Sequence, residues 1–181
     1  MIDRFTIETS GIGLHKRRLI ASAVLGKSDF DRIASKLGSS PIRARKTGLV
    51  AARKVQRRET VDTYWNGKET SNVAAPGDFV VTSLADDGNI LRDRNGMANV
   101  YVIKADGFAK LYAPVPGGNE FGAFHKAKRE VTAVYFSGGF DIMAPWGERE
   151  RAPEGYLVFN GDEVYGNNAE TFAASYEILT T

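Results

Sequence analysis

Cysteine is absent from this chain of 181 residues, and histidine occurs only twice. Without the sulfur atom there can be no disulfide scaffold, no cysteine-based zinc site and no thiolate nucleophile. The two histidines, His15 and His125, are far apart in the sequence and lie outside any H-E-x-x-H or H-x3-H spacing. We therefore predict no metal site and no cofactor.

Long apolar runs are also missing from the sequence. No run approaches the roughly 20 residues that cross a bilayer, and the N-terminus lacks the basic-then-apolar pattern of a signal peptide. The composition, 43% hydrophobic and 25% charged, is that of an ordinary globular protein with one domain or two small ones. We expect a soluble cytoplasmic protein with no membrane partner.

The net charge of +2 hides a strong asymmetry along the chain. Residues 1–60 contain 14 basic and 5 acidic side chains, whereas the rest of the chain contains 10 basic and 17 acidic ones. A nucleic acid or another polyanion would contact the basic clusters of the first segment. The candidate contacts are Lys16, Arg17, Arg18, Arg43, Arg45 and Lys46.

A second interpretation of this asymmetry is that the basic segment folds onto the acidic body and neutralises it, or is simply solvated. Proteins that bind single strands interleave aromatic rings with their basic residues. Between residues 16 and 58 the only aromatic residue is Phe30. Nucleic-acid binding therefore stays open but is not favoured.

Residues 1–47 form a basic leader in which a short helix is predicted. A capping-box pattern at Ser28-Asp29-Phe30-Asp31 is followed by apolar residues at helical spacing and by Gly38 at a C-cap position. These signals predict a helix over residues 29–37. A second helix over residues 16–25 has weaker support, because the basic residues at its start oppose the helix dipole.

After residue 48 the hydrophobic period changes from helical to strand-like. Short runs rich in β-branched and aromatic residues alternate with turn pairs typical of hairpins, such as Pro76-Gly77 and Asp87-Gly88. This pattern predicts antiparallel, hairpin-linked strands rather than βαβ units.

Two segments of the chain resemble each other. Residues 75–81 align with residues 152–158 at an offset of 77. Aromatic positions further along align at an offset of 64: Tyr101, Phe108 and Tyr112 with Tyr165, Phe172 and Tyr176. The ordered set predicts an internal duplication, with a first β-rich repeat over residues 48–116 and a second over residues 117–181.

Each predicted repeat has a phenylalanine and a tyrosine four residues apart, which places both rings on one face of a short helix. Asp106 and Asn168 are the candidate N-caps of these helices. We therefore predict an α+β fold that is mainly antiparallel β. It would contain two related small β-rich units, each a curled sheet or half-barrel with a short plug helix, plus an N-terminal helical leader.

The string Ala75-Pro76-Gly77-Asp78-Phe79-Val80-Val81-Thr82, followed downstream by a Phe-x3-Tyr element, resembles the PGDYG-type family of bacterial and phage proteins. In that family a Pro-Gly-Asp-aromatic turn leads into a strand, and the chain closes on an F-x3-Y-E-like ending, which Tyr176-Glu177 matches. Phe79 and Val80 replace the tyrosine and last glycine of the motif, and the second repeat departs further. The resemblance implies no established activity, cofactor or catalytic residue.

Asp78 and His125 are two candidate ligand-binding residues. The carboxylate of Asp78 follows a Pro-Gly turn and can accept backbone N–H groups there, so a turn role is the alternative. The aligned position in the second repeat is Gly155, which argues against a duplicated active site. His125, near the junction of the repeats, is a candidate general base or phosphate contact, or else a plain surface histidine.

Aromatic residues in turn-rich stretches are the other ligand candidates. Trp146 stands beside Glu148 and Arg149, so its ring could stack on a planar ligand that the charged pair fixes. Trp65 holds a comparable place after the leading strand of the first repeat. The alternative is that both rings cover the core.

Three functions stay open from the sequence. The first, which we favour, is a binding or interaction module with a groove for a small ligand or a protein partner between the two repeats. The second is a hydrolase or transferase acting on a phosphorylated or nucleotide-like molecule, with Asp141, Glu148 or Asp162 as general acid or base. The third is nucleic-acid binding through the basic leader. No serine-hydrolase, P-loop or dinucleotide motif occurs, so the sequence does not decide whether the protein is an enzyme.

Overall fold

The computed structural model of the chain describes residues 4–11, 16–64 and 68–180, with the side chains of residues 68–70 also outside the description. His15 and Trp65, two residues singled out from the sequence, lie outside these ranges. Strands dominate: 54% of the described residues are in strands and 15% are in helices. No helix of the described ranges has the length and apolar character that a membrane crossing needs.

The elements are given in chain order. The N-terminal part contains β1 (Thr6–Ser10), β2 (Lys16–Val24), α1 (Lys27–Leu37) and β3 (Ile42–Lys46). The middle part contains β4 (Leu49–Lys54), β5 (Glu59–Tyr64), β6 (Lys68–Ala74), β7 (Phe79–Leu84), β8 (Val100–Ile103), α2 (Ala105–Leu111), β9 (Tyr112–Asn119) and β10 (Gly122–Ala127). The C-terminal part contains β11 (Glu130–Phe136), β12 (Phe140–Met143), β13 (Arg149–Ala152), β14 (Gly155–Phe159), β15 (Val164–Asn168), α3 (Ala169–Ser175) and β16 (Tyr176–Ile178).

The chain divides into two compact units. Residues 47–129 form one of them, the inserted unit, which is continuous in sequence. Residues 1–46 and 130–181 together form the other, the split unit. The basic leader is therefore one part of a compact unit whose other part is the C-terminal segment. The predicted domain boundaries refer to repeats in the sequence, and they stay a prediction.

The split unit contains two sheets. A five-stranded antiparallel sheet has the order β15-β14-β11-β3-β16, and a four-stranded sheet has the order β1-β2-β12-β13. Strands β2 and β12 run parallel. Strand β11 shows why such segments are extended, because its sequence EVTAVYF is rich in β-branched and aromatic residues and is largely covered on both faces.

Helix α1 supplies Phe30 and Ile33 to a core shared with β2, β11, β12 and β14. It begins at Lys27, where the N–H of Gly26 donates to the buried carboxylate of Asp29 at 2.8 Å. It ends at Gly38, whose φ of 69° lies in the left-handed region that favours glycine. The capping side chain is therefore Asp29, and the N-cap is Gly26 rather than Ser28.

The predicted helical leader is wrong. Residues 16–24 form β2, and α1 is the one helix that the structure describes before residue 47. Burial alternates along β2: Leu19 and Ala21 are buried, whereas Arg18 and Ile20 are more exposed. This two-residue period is that of a strand. The basic residues at the start of β2 meet no opposing dipole, because a strand has only a small net dipole.

The inserted unit contains a five-stranded antiparallel sheet with the order β8-β7-β4-β10-β9 and a two-stranded sheet of β5 and β6. Phe108 of α2 packs with Val50 and Val81 in one cluster. Val61 of β5 packs with Val55 and Val80 in another. The five-stranded sheet is thus covered by a short helix and by a hairpin.

The two five-stranded sheets are equivalent strand by strand. β7 pairs with β8 in the register Val81↔Tyr101, and β14 pairs with β15 in the register Val158↔Tyr165. These pairs are related by the sequence offsets of 77 and 64. Helices α2 and α3 follow β8 and β15 in the same way.

In each of these sheets the central strand pairs with a strand that lies far from it in the sequence. β3 directly precedes β4 as β10 directly precedes β11, yet β3 pairs with β11 and β10 pairs with β4. Thr132 lies opposite Arg43, and Ala51 lies opposite Phe124, so the two pairings have equivalent registers. In each sheet the central strand therefore has a partner from more than 70 residues away in the sequence.

The predicted fold class is also wrong about the shape of the sheets. Neither five-stranded sheet closes on itself, since β8 and β9 are the edges of one and β15 and β16 are the edges of the other. Both are open five-stranded sheets in place of the barrel-like units that we predicted. Helices α2 and α3 lie against open sheets, with Phe108 and Phe172 buried there.

Candidate functional site

A hollow of about 250 Å³ opens in the split unit on the face of the five-stranded sheet that carries α3. We name it the tyrosine groove. Its lining residues are Tyr135, Glu154, Tyr156, Ala169, Phe172, Ala173, Tyr176 and Ile178. Tyr135 is 46% exposed and Ile178 is 55% exposed, so large apolar surface is presented to solvent at its rim.

Strand pairing positions the upper rings of the groove. Tyr135 of β11 lies directly opposite Tyr156 of β14, and neighbouring pairs place both side chains on one face of the sheet. Their ring centroids are 5.2 Å apart with an interplanar angle of 50°. The two rings therefore form an angled pair rather than a flat stack.

A single carboxylate stands beside this pair of rings. The hydroxyl of Tyr135 donates to Glu154, and this hydrogen bond raises the pKa of Tyr135 to about 12. Glu154 is the one charged side chain among the described residues that line the groove. The groove thus combines aromatic faces with one negative charge.

Stacked rings form the floor of the groove. Phe172 of α3 stacks on Tyr156 at 4.0 Å and on Tyr176 at 4.8 Å. The hydroxyl of Tyr176 is 3.1 Å from that of Tyr165 on β15. Asn168 caps α3 by accepting the N–H of Thr171 at 2.8 Å, as its position in the sequence predicted.

The inserted unit repeats this floor with different residues. Phe108 stacks on Phe79 at 4.0 Å and on Tyr112 at 5.4 Å, and the hydroxyls of Tyr101 and Tyr112 are 2.8 Å apart. The rim differs, because Lys54 occupies the position equivalent to Tyr135. The acidic and aromatic rim is therefore a property of the split unit.

Asp78 holds a turn and a helix start in the inserted unit. Its carboxylate accepts the N–H of Ala75 at 2.9 Å, the ammonium of Lys104 at 3.1 Å and the N–H of Ala105 at 3.2 Å. The Ala75 N–H and the Lys104 hydrogen bond hold the pKa of Asp78 below its usual value. The side chain that caps α2 is therefore Asp78, whereas the predicted cap, Asp106, lies inside the first turn.

Gly155 takes the place of Asp78 in the split unit for a steric reason. A Cβ atom at Gly155 would lie 2.4 Å from the carbonyl oxygen of Asn167 and 2.7 Å from the ring of Phe140. No aspartate fits there, and the cap of α3 comes from Asn168 instead.

Trp146, Glu148 and Arg149 meet in the hairpin that joins β12 to β13. The Trp146 ring is 57% exposed, and its indole N–H donates to Glu148 at 3.2 Å. The guanidinium of Arg149 binds Asp141 at 2.5 Å rather than Glu148. These three residues are near one another in the hairpin, but Arg149 and Glu148 do not form the charged pair that we predicted.

Asp141 is surrounded by arginines on the outer face of the four-stranded sheet. Arg151 approaches its carboxylate at 3.1 Å and Arg18 approaches it at 3.8 Å, in addition to Arg149. Burial raises the pKa of Asp141, but the hydrogen bonds from Arg149 and Arg151 outweigh it and leave the pKa below its usual value. A carboxylate held ionised in this way is a poor general acid.

The basic leader is largely engaged inside the split unit. Arg43 and Arg45 bind Glu130 at 2.8 Å and 3.0 Å, and Arg45 also approaches Glu177 at 3.7 Å. Arg17 donates to the carbonyl of Leu37 at 3.1 Å. Lys16 is exposed on β2, and Lys46 lies opposite Tyr176 in the sheet. These contacts join the basic segment to the acidic C-terminal segment.

His125 and Asp162 have local roles. His125 lies on β10 opposite Val50 and Pro114, and its ring meets the edge of Phe108 at 4.9 Å. Its Nδ1 is 3.0 Å from the carbonyl of Ala123. The backbone N–H of Asp162 donates to the side chain of Asn160 in the β14–β15 turn. Trp65 lies outside the described residues.

Sequence reasoning missed Tyr135, Glu154 and Ile178 as groove residues. The signal available was that Glu154 and Tyr156 follow the Ala-Pro turn of the second repeat and that Tyr176 ends it. Tyr135 could be added only with the strand pairing of β11 and β14. Among the described residues, no three histidine, aspartate or glutamate side chains are grouped to hold a metal ion.

Comparison of the chain with protein-family models, with curated protein sequences and with solved structures gave no match. The resemblance to the PGDYG-type family therefore stays a prediction.

Proposed function

We propose that the protein is a binding module and that its tyrosine groove binds a cationic group, an ammonium or guanidinium, presented by a partner. The observation that carries this proposal is the angled pair of Tyr135 and Tyr156, 5.2 Å apart, beside the carboxylate of Glu154. The faces of aromatic rings attract cations, at about 0.5–1 kcal/mol for an exposed ring and more when the cation is desolvated.

The shape of the groove supports a group on a side chain or small molecule rather than a large ligand. Its volume of about 250 Å³ is below the 300–1,000 Å³ typical of sites for drug-sized ligands. The negative charge of Glu154 complements a cation and opposes an anion. A groove of this chemistry would therefore reject the phosphorylated ligands of the alternative enzyme hypothesis.

The placement of the candidate acids also supports binding over catalysis. Asp141 is held between arginines, Glu148 bonds the indole of Trp146, and Asp162 belongs to a tight turn. A general acid and base need convergent groups around one reacting atom.

The proposed site of action is the cytoplasm, for which the absence of cysteine is the support.

Tetramethylammonium chloride is a suitable probe for this proposal. We expect saturable shifts of the Tyr135 and Tyr156 ring signals in NMR spectra, with sodium chloride at equal ionic strength as the baseline. tert-Butyl alcohol, a neutral molecule of similar shape, should bind at least several-fold more weakly. Equal binding of the neutral molecule, or no saturable shift with the cation, would overturn the proposal.

Two variants locate the binding in the groove. Tyr135→Lys copies the residue that stands at the equivalent position of the inserted unit, and Glu154→Gln removes the negative charge with little change of shape. Both should weaken tetramethylammonium binding, Tyr135→Lys the more strongly because it also adds a like charge. The matched control is Lys54→Ala in the inserted unit, which should leave the binding unchanged.

A further inference from the structure

The split unit is assembled from two chain segments that are far apart in sequence. Residues 1–46 supply β1, β2, α1 and β3, and residues 130–181 supply the remaining strands and α3. Along the backbone, the two segments are joined only through residues 47–129, the inserted unit.

Neither segment can complete its sheets alone. β3 lies between β11 and β16, and β2 lies beside β12, so both sheets need strands from both segments. Residues with almost no exposure come from both sides of the shared core. They are Leu19 and Ile33 from the first segment and Phe136, Phe140, Ile142 and Leu157 from the second. Separation of the segments would expose this core, so each segment has a strong requirement for the other.

The connector after β3 does not turn the chain back. Only Thr47 and Gly48 separate β3 from β4, and Gly48 is not among the glycines with positive φ. Tight two-residue hairpin loops need positive φ values. β3 does not fold back onto β4 but pairs with β11, where Arg43 lies opposite Thr132. In the register of the β10–β4 pair, the equivalent position on β4 would be Ala51.

We propose that residues 1–46 are exchangeable between two copies of the chain, so that this segment of each copy completes residues 130–181 of the other. The partner is a second copy because residues 130–181 of this same sequence supply the strand partners and core contacts of the described residues of the segment. Such a dimer would keep all strand pairs and core contacts of the split unit and would change only the path at Thr47 and Gly48. Exchange of an identical element between copies is a low-cost route to dimers.

Mass action decides which form is populated. In one chain the two segments meet at an effective concentration on the order of millimolar, so the monomer should dominate when the protein refolds from dilute solution. Refolding at a protein concentration of about 1 mM should therefore yield a substantial dimer fraction. Because exchange exposes the shared core, a dimer once formed should persist after dilution for hours.

The chain has no cysteine, so single-cysteine variants report pairing without background. Chains carrying Arg43→Cys and chains carrying Thr132→Cys are mixed, unfolded in denaturant, refolded together at high concentration and then oxidised. The side chain of Arg43 is 54% exposed, and Arg43 lies opposite Thr132. An oxidant in solution should therefore reach the two cysteines, and the disulfide should form. We expect a disulfide-linked dimer. A matched mixture of Arg43→Cys and Ala51→Cys chains should give none.

The double variant Arg43→Cys/Thr132→Cys keeps the test decisive. It should close its bond within one chain when refolded from dilute solution, which shows that the variants fold and that the pair geometry is suitable. If the double variant closes its bond but the mixture gives no linked dimer at high concentration, the proposal is overturned. A linked dimer from the Arg43→Cys and Ala51→Cys mixture, or failure of the double variant to close, would overturn the strand pairing on which it rests.

Discussion

The hydroxyl groups of Tyr101 and Tyr112 lie 2.8 Å apart in the inserted unit, and those of Tyr165 and Tyr176 lie 3.1 Å apart in the split unit. In each unit the first tyrosine is on the strand before the short helix and the second ends that helix. Burial raises the pKa of Tyr112, and the neighbouring Tyr101 raises it further. These hydroxyl pairs fasten the helix to the sheet.

Tyr101→Phe should destabilise the inserted unit by about 1 kcal/mol, because it leaves the buried hydroxyl of Tyr112 without this partner. The double variant Tyr101→Phe/Tyr112→Phe should recover part of that loss, since it removes both polar groups. Urea unfolding curves of the two variants and the parent chain give the comparison. A double variant that is no more stable than Tyr101→Phe would contradict this account.

The ring pairs could be predicted from the sequence because they depend on local spacing. Phe108 and Tyr112 are four residues apart, as are Phe172 and Tyr176, and helical geometry alone brings such residues together. The cap at Asn168 is equally local. The predicted helix over residues 16–25 was wrong because it, too, rested on local signals alone. No local signal shows that this segment pairs as β2 with the distant β12.

The pairing of β3 with β11 and the tyrosine groove both depend on contacts between distant segments. β3 meets β11 across more than 80 residues, and one sequence holds no signal for that choice over pairing with β4. The groove needs Tyr135 opposite Tyr156, a register that one residue of slip would reverse. The turn role of Asp78, the alternative to a ligand-binding role, could be read from Pro76-Gly77, but its contact with the start of α2 required the fold.

Asp78→Asn should lower the thermal stability of the inserted unit by several degrees at neutral pH, because the carboxylate accepts two backbone N–H groups and the Lys104 ammonium. The pKa of Asp78 is lowered from 3.8 on folding, so its charge stabilises the fold above pH 3.8 and that contribution is lost as the pH falls further. Melting temperatures of both proteins from pH 2 to pH 7 should therefore converge at the acidic end. A constant difference across this range would contradict the prediction.

Glu150→Gln should stabilise the split unit at neutral pH. Burial raises the pKa of Glu150 from 4.5, the N–H of Gly166 opposes this only in part, and the nearby Glu148 adds to it. The charged form therefore costs stability as the pH rises through the folded pKa, and glutamine keeps the acceptor for Gly166 at 3.0 Å. We expect a rise in melting temperature of about 1–2 °C at pH 7. The gain should vanish below pH 4.5, and a gain that is independent of pH would show that charge is not its cause.

Gly166→Ala should destabilise the split unit by about 1–3 kcal/mol through overpacking. A Cβ atom there would lie 2.5 Å from the ring of Phe140, which is itself buried and cannot move aside freely. Gly107→Ala is the matched control, since its nearest neighbour would be Ile103 at an ordinary 3.9 Å. Because alanine favours a helix interior over glycine, this control should stabilise α2 by about 0.5–1 kcal/mol. Denaturant unfolding of both variants measures these two changes in the free energy of unfolding. A Gly166→Ala variant as stable as the parent chain would show that the contact with Phe140 is not tight.

Tyr135→Phe separates the ring of the tyrosine groove from its hydroxyl. The variant keeps an aromatic face opposite Tyr156 and frees the Glu154 carboxylate from the hydrogen bond that it accepts. If the groove attracts cations through ring faces and one negative charge, tetramethylammonium should bind Tyr135→Phe within about twofold of the parent chain. Tyr135→Ala, which removes the ring, should lose about two- to fivefold in affinity, as expected for one cation–π contact of 0.5–1 kcal/mol. NMR titrations of both variants under the same conditions make the comparison. A loss with Tyr135→Phe as large as that with Tyr135→Ala would assign the recognition to the hydroxyl group and contradict binding through the ring face.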